Sequence, residues 1–305
     1  SEAIYKKECA SEVKQLLIKA INPLAIPLTK IILKGFYSGN LPITQLEHKQ
    51  NVVVFAPHVD DETIGLGGTI KKYADQQTKV HVVNVTDGGK SNRHVNNLSE
   101  IRKQELKLIQ PLLGISSLTF LDYPDGQVNQ IKSSEDFIKV LEELKPDIVY
   151  TTSFIDAHTD HTATAHLLAD ALTKSQHQPQ VVRQYEINCP VPPEFINCVI
   201  DITNENNTKL QAITYFKSQV IAFDGFILLS KLKSSIVSKK LSKVETFIES
   251  TVDEFIKQSD LLLSKNLVDF SQDFKQANRS STLLIAVFKN LDKKREIYKQ
   301  LQNLS

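Results

Sequence analysis

Between residues 51 and 203, short β-branched runs alternate with longer stretches whose apolar residues recur at helical spacing, and this alternation constrains the fold more than any other feature of the chain. "NVVVFA" (51–56) is apolar at consecutive positions, as a strand buried on both faces requires. "KVHVVNVT" (79–86), "LTFLDYP" (118–124), "PDIVYTTS" (146–153), "VVRQYEI" (181–187) and "CVIDIT" (198–203) read as further strands. The intervening "TIGLGGTIKKYADQQ" (63–77), "LSEIRKQELKLIQPLL" (98–113), "SSEDFIKVLEELK" (133–145) and "HTATAHLLADALTKS" (161–175) read as helices, the second opened by Ser99 as a cap. Such alternation predicts a doubly wound, Rossmann-like α/β fold, a mostly parallel sheet with right-handed crossover helices on both faces. Beyond about residue 205 the β-branched runs stop and Lys-rich helical patterns take over. The expected organisation is an N-terminal helical or apolar extension (1–48), an α/β core (49–204) and a helical C-terminal region (205–305) packed on or beside the core.

In an open sheet of this kind, ligands bind outside the carboxyl ends of the strands. There the first strand runs into "APHVDDE" (56–62), which holds a histidine and three carboxylates within positions 58–62. Packing gives no reason for that charge density, since Asp and Glu are almost never fully buried without a partner. His58 and Asp61 are three apart, a spacing that places both on one side of a tight turn or first helical turn. "DAHTDH" (156–161) follows the strand at 146–153, so it reaches the same sheet edge and supplies His158, Asp160 and His161. Imidazole plus carboxylate, with no thiolate, suits a catalytic zinc or a similar divalent metal, which takes three protein ligands and keeps one position open.

These residues carry a resemblance. "APHVDDETIGLGGTI" is similar to the PHPDDE-type motif of the PIG-L, or LmbE-like, family of zinc-dependent N-acetyl sugar deacetylases, and "HTDHTAT" resembles that family's HxDHxxT motif. "VTDGG" (85–89), "RKQE" (102–105), "LDYPDG" (121–126), "VIDIT" and "KLQAITYFKSQ" resemble weaker markers, so the likeness runs from about residue 50 to 250. The resemblance implies His58, Asp61 and His161 as zinc ligands and Asp60 as general base for the attacking water. It implies that His158 lies across the pocket to stabilise the oxyanion or protonate the leaving amine, and that Asp160 orients one of the histidines. Each role has a physical reason: zinc acidifies water to a pKa of about 7, so a nearby carboxylate need take only one proton, and an imidazole is suited to the leaving amine. Arg102 matches a family arginine near the substrate pocket, where a guanidinium fork binds sugar hydroxyls or phosphate; the alternative is a helix-surface Arg paired with Glu105. One departure is Val59, where the family usually has proline.

Other features narrow the reading. "GLGG" (65–68) lacks the GxGxxG spacing of a dinucleotide fingerprint, and close helix-to-sheet packing accounts for its glycines better. His81, inside a strand, and His94, in a polar loop, read as structural or solvated. A net charge of +1 gives no general attraction to nucleic acid. Cys9, Cys189 and Cys198 form an odd set without CxxC, which fits a reducing cytoplasm. The apolar segment 16–36 is broken by Lys19, Lys30 and Lys34 and by Pro23 and Pro27, so it does not span a bilayer, but peripheral membrane contact is compatible with it. The expected activity is metal-dependent removal of acetyl from an N-acetylamino sugar in a glycoconjugate. Hydrolysis of another amide, as in thiol-conjugate amidases, and a metal- or sugar-binding module without turnover stay open as alternatives, although a pure binding site has no need of Asp60.

Overall fold

The computed structural model describes residues 25–46, 51–90, 97–219, 222–238 and 242–304. Cys9, Lys19, Pro23 and His94, together with most of the 1–48 extension, lie outside the described residues. Seven strands form one sheet: β1 (Asn51–Ala56), β2 (Lys79–Thr86), β3 (Ser117–Tyr123), β4 (Ile148–Thr152), β5 (Val181–Tyr185), β6 (Cys198–Asp201) and β7 (Val244–Ser250). Their spatial order is β3-β2-β1-β4-β5-β7-β6. The five strands from β3 to β5 are mutually parallel, whereas β7 runs antiparallel to both β5 and β6.

Burial on both faces of β1 follows from its unbroken apolar run. Val53 and Phe55 join one core cluster, while Val52, Val54 and Ala56 join the cluster on the opposite face. The covering helices within the parallel part are α2 (Asp61–Asp75), α3 (Leu98–Leu113), α4 (Glu135–Leu144) and α5 (Thr159–Lys174), close to the expected spans. α1 covers residues 25–36; it buries Thr29 and Leu33 and leaves Leu28, Ile31 and Ile32 facing water.

The stretch beyond 205 is mostly helical, with α6 (Asn206–Ile213), α7 (Asp224–Lys233), α8 (Val252–Ser264), α9 (Leu283–Phe288) and α10 (Leu291–Gln302). The purely helical expectation for 205–305 is corrected at β7. "VETFIES" is rich in β-branched and aromatic residues, and Thr251 opens α8 with a capping box to Glu254, a signal that separates strand from helix. The proposed boundary at 204/205 therefore divides elements of one sheet, since β7 lies between β5 and β6.

β7 is tied to the helix that carries the opening motif. Glu245 accepts the backbone N–H groups of Gly68 (3.0 Å) and Thr69 (2.7 Å) and pairs with Lys209 Nζ at 2.6 Å. α2 lies so close to its neighbours here that a Cβ on Gly68 would sit 2.6 Å from Ile202 Cδ1. Gly68→Ala is expected to destabilise the protein by about 1–3 kcal/mol through overpacking, read as a lower urea midpoint at unchanged m-value.

Candidate metal centre

The sheet order changes direction beside β1, with β2 and β3 on one side and β4 and β5 on the other, so a crevice opens at the carboxyl ends of β1 and β4. The segment after β1 delivers His58, Asp60 and Asp61 to that crevice, and the segment after β4 delivers His158, Asp160 and His161. His58 Nδ1 and His161 Nε2 are 3.2 Å apart, and each is 3.3 Å from Asp61 Oδ2. Three ligand atoms thus form a nearly equilateral triangle.

The second nitrogen of each ring faces another carboxylate. His58 Nε2 lies 3.2 Å from Asp160 Oδ2 and 3.4 Å from Asp125 Oδ1, and His161 Nδ1 lies 3.3 Å from Asp156 Oδ1. Such outer partners fix ring orientation and tautomer for a metal-facing nitrogen. They are themselves held. Asp160 accepts the N–H of Gly126 at 2.6 Å and that of Val128 at 3.1 Å; Asp156 accepts bonds from Asn188 N, Asn188 Nδ2 and His158 N at 2.8–3.0 Å. Gly126 reaches Asp160 with φ +76°, a value open to glycine in the "PDG" turn after β3.

The donor set fits a divalent cation. Four ligands about 2.0–2.1 Å from a tetrahedral zinc lie roughly 3.3–3.4 Å from one another, close to the edges of this triangle. Electrostatics agree: burial by itself would depress His161, but Asp61 and Asp156 outweigh it and raise it to about 10, and His58 is likewise raised well above its usual value by Asp125, Asp160 and Asp61. If both rings carried those protons, two N–H groups would face each other across 3.2 Å. A cation between them meets the same demand for positive charge without that conflict. A second group, His58, His158 and Asp160, also brings three donor atoms within 4.8 Å of one another. It fits less well, because Asp160 already accepts two backbone N–H groups and its own N–H donates to His158 Nδ1 at 3.2 Å.

Asp60 lines the same cavity, of about 110 Å³, and is buried. It holds φ 121°, a strained value for any residue but glycine and better tolerated by Asp and Asn than by most. The turn is pinned by its own N–H donating to Glu62 Oε2 at 3.1 Å and by its carbonyl accepting from Thr63 and Ile64. Burial, then the charges of Asp61 and Glu62, push the Asp60 carboxyl well above the usual carboxylate range. Asp61 moves oppositely: burial would raise it, but His161 and His58 hold it well below that range. His158 is half-buried, and burial followed by the charges of His58 and His161 lowers it to about 4. Val59 is buried, and its carbonyl accepts Gln219 Nε2 at 2.7 Å, an anchor in place of a proline ring.

Arg102 lines the cavity but is buried among protein partners, donating to Gly88 O at 2.5 Å and Gln219 Oε1 at 2.8 Å. Glu105, the partner considered from sequence, accepts both the N–H and the hydroxyl of Ser218. His81 bonds Ser117 Oγ at 2.7 Å within the sheet, away from the crevice. Asp125, Asp156, Asn188 and Gln219 received no role from sequence. Asp125 lay in the "LDYPDG" turn and Gln219 at the end of "KLQAITYFKSQ", both noted without an assignment.

Residues 53–172 match the family model described as PIG-L, GlcNAc-PI de-N-acetylase. Over this segment the chain is similar to the PIG-L family. Among its curated relatives, the diacetylchitobiose deacetylase of Thermococcus kodakarensis is 27% identical over 193 residues, covering 56% of this chain and 70% of that protein. The probable N-acetyl-alpha-D-glucosaminyl L-malate deacetylase 2 of Bacillus anthracis is 30% identical over 145 residues, 42% of this chain and 61% of that protein. Among solved structures, the N,N'-diacetylchitobiose deacetylase of Pyrococcus horikoshii with its inhibitor MPG aligns at a TM-score of 0.58 and 22% identity, covering 78% of this chain and 94% of that one. At that identity the structural likeness establishes the fold. The PIG-L match spans β1 to α5 and so includes every residue of the triangle.

Because Arg102 ties the "DGG" loop and the α6–α7 connection to the metal crevice, Arg102→Gln is expected to cost about 1.5–3 kcal/mol of stability in urea denaturation. A residue that only contacted substrate would leave the midpoint unchanged.

Proposed function

We propose that this chain is a metal-dependent hydrolase that removes the acetyl group from an N-acetylamino sugar in a glycoconjugate, with zinc held by His58, Asp61 and His161. The reading is carried by the triangle of donor atoms at 3.2–3.3 Å, set in a cavity that also holds an unligated, buried Asp60. The PIG-L match and the deacetylase relatives supply the reaction class.

When bound, the metal supplies a Lewis acid that acidifies water to a pKa of about 7 and polarises the acetamide carbonyl. Asp60 takes the proton of the attacking water, and its raised affinity for protons suits that task. His158 Nδ1 accepts the N–H of Asp160, so the neutral ring keeps its proton on Nε2. That proton makes His158 a hydrogen-bond donor to the developing oxyanion, in preference to a proton source for the amine. Protonated Asp60 then returns its proton to the departing sugar amine, so water and amide give acetic acid and amine, which part as acetate and ammonium. Asp160 and Asp156 hold the rings of His58 and His161. Arg102 shapes the pocket wall through Gly88 and Gln219, and its place in the cavity lining puts the guanidinium beside the sugar.

Acetate release from N-acetylglucosamine, N,N'-diacetylchitobiose and N-acetylglucosaminyl malate, with and without chelator, tests the activity. Chelator-sensitive acetate from at least one supports it, and none from any of the metal-loaded protein refutes it. Metal analysis of His58→Ala and Asp61→Ala is expected to show most of the bound metal lost, with full retention in both removing the ligand set. Asp60→Asn keeps the φ tolerance of the turn but cannot accept the proton; kcat is expected to fall about 10²- to 10⁴-fold with metal content unchanged.

Among the described residues no helix is long and apolar enough to cross a membrane. The outer face of α1, with Ile31 at 73% exposure beside Leu28, Lys30 and Lys34, supports peripheral contact with an anionic surface. Co-sedimentation with anionic vesicles is expected at low salt and lost at high salt. The buried thiols of Cys189 and Cys198 are in keeping with a cytoplasmic setting.

A further inference from the structure

The candidate site does not end at the histidines. A second cavity, of about 290 Å³, adjoins it, and the two share Ile64 and Phe226 as lining residues. Leu210 and Ile213 of α6, Phe223, and Ile227 of α7 complete its apolar walls. Except for Ile64, all of these lie outside the segment that matches the PIG-L model, so that match does not account for them. An apolar cavity of about 150 Å³ stays dry and takes up benzene, which makes this one large enough for roughly twice that bulk.

The charges around it are informative. Lys209 lines the cavity but is buried, with its ammonium held by Ile64 O at 2.7 Å and Glu245 Oε1 at 2.6 Å. Lys231 and Lys243 also line it, and neither ammonium pairs with a carboxylate among the described residues. A cationic guest is therefore disfavoured, and an apolar guest that is neutral or anionic is accommodated.

We propose that this cavity is an aglycone subsite, and that the sugar processed by this chain is joined to an apolar, non-cationic aglycone such as an alkyl chain or an aromatic group. The proposal rests on the deacetylase reading for turnover, but the affinity of the cavity for apolar glycosides does not. With the acetamide at the His58–Asp61–His161 triangle, the glycosidic substituent passes over Ile64 and Phe226 and enters the space between α6 and α7. Each methylene buried there strengthens binding about four-fold. Because the aglycone is far from the reacting carbonyl, the gain is shared by ground state and transition state and appears in KM and not in kcat.

The test compares the methyl and hexyl glycosides of N-acetylglucosamine, below micelle-forming concentration, on the metal-loaded full chain. Acetate release gives kcat and KM, and calorimetric titration gives affinity independently of turnover. The hexyl glycoside is expected to bind at least about ten-fold tighter, with the difference in KM. Ile227→Asp, at an exposed position, and Ser230→Phe, which fills the cavity from a half-buried one, are expected to cut that preference about five-fold or more. Both variants are expected to leave kcat/KM for the methyl glycoside within about two-fold. Equal affinity of the wild type for both glycosides overturns the subsite, as does a preference left intact in both variants. Tight hexyl binding without acetate from either glycoside overturns the deacetylase reading and leaves the subsite standing; acetate release without hexyl preference does the reverse.

Discussion

Carboxylates crowd into one buried crevice, and their charge has to be answered. Asp60, Asp61, Asp156 and Asp160 are all buried, and Asp125 is nearly so, around three histidines that supply the neighbouring positive charge. An isolated buried carboxylate costs several kcal/mol or neutralises itself. Here three of them have a distinct answer: backbone amides for Asp160, the Asn188 amide and backbone N–H groups for Asp156, and imidazoles for Asp61. Asp60 is left without such an answer, and it is the group whose proton affinity rises. Which carboxylates are hydrogen-bonded and which are not thus sets Asp60 apart from Asp61, Asp156 and Asp160.

The scaffold makes this arrangement affordable because rigid elements end at the crevice. His58 and His161 are separated by 103 positions in sequence, yet His58 follows β1 and His161 lies in the first turn of α5, the helix after β4, and those two strands are adjacent and parallel with Val52 paired to Ile148. Asp125 arrives from the end of β3, two strands away from β1, because the "PDG" turn folds back toward Asp160. Strand-end geometry thus fixes the donor atoms before any ligand binds, which is what precise coordination requires.

Legibility from sequence followed locality. β1 and α5 announced themselves through unbroken β-branched runs and helical periodicity, and the two motifs stood where those elements end. β7 was obscured because "VETFIES" merges into the helical spacing of α8, and its place between β5 and β6 is a long-range pairing that no local pattern encodes. Asn188 stands in no motif, and Asp156, although it opens the "DAHTDH" stretch, matters through contact with Asn188 across 32 positions and with His161, which no local pattern encodes. Arg102 lines the cavity, and its bonds to Gly88 and Gln219 depend on tertiary packing that no local pattern encodes.

The late position of β7 in the chain has a consequence for how this protein is made. β6 does not pair with its predecessor β5; its partner in the sheet is β7, which also pairs with β5. During synthesis β6 therefore emerges with no edge to join and waits for some forty more residues before the partner strand appears. Until then the β5 edge is open, Arg183 lacks Glu249, and the N–H groups of Gly68 and Thr69 lack Glu245. The helix that leads out of the metal crevice is locked only when that strand arrives, so completion of the sheet and completion of the site are a single event.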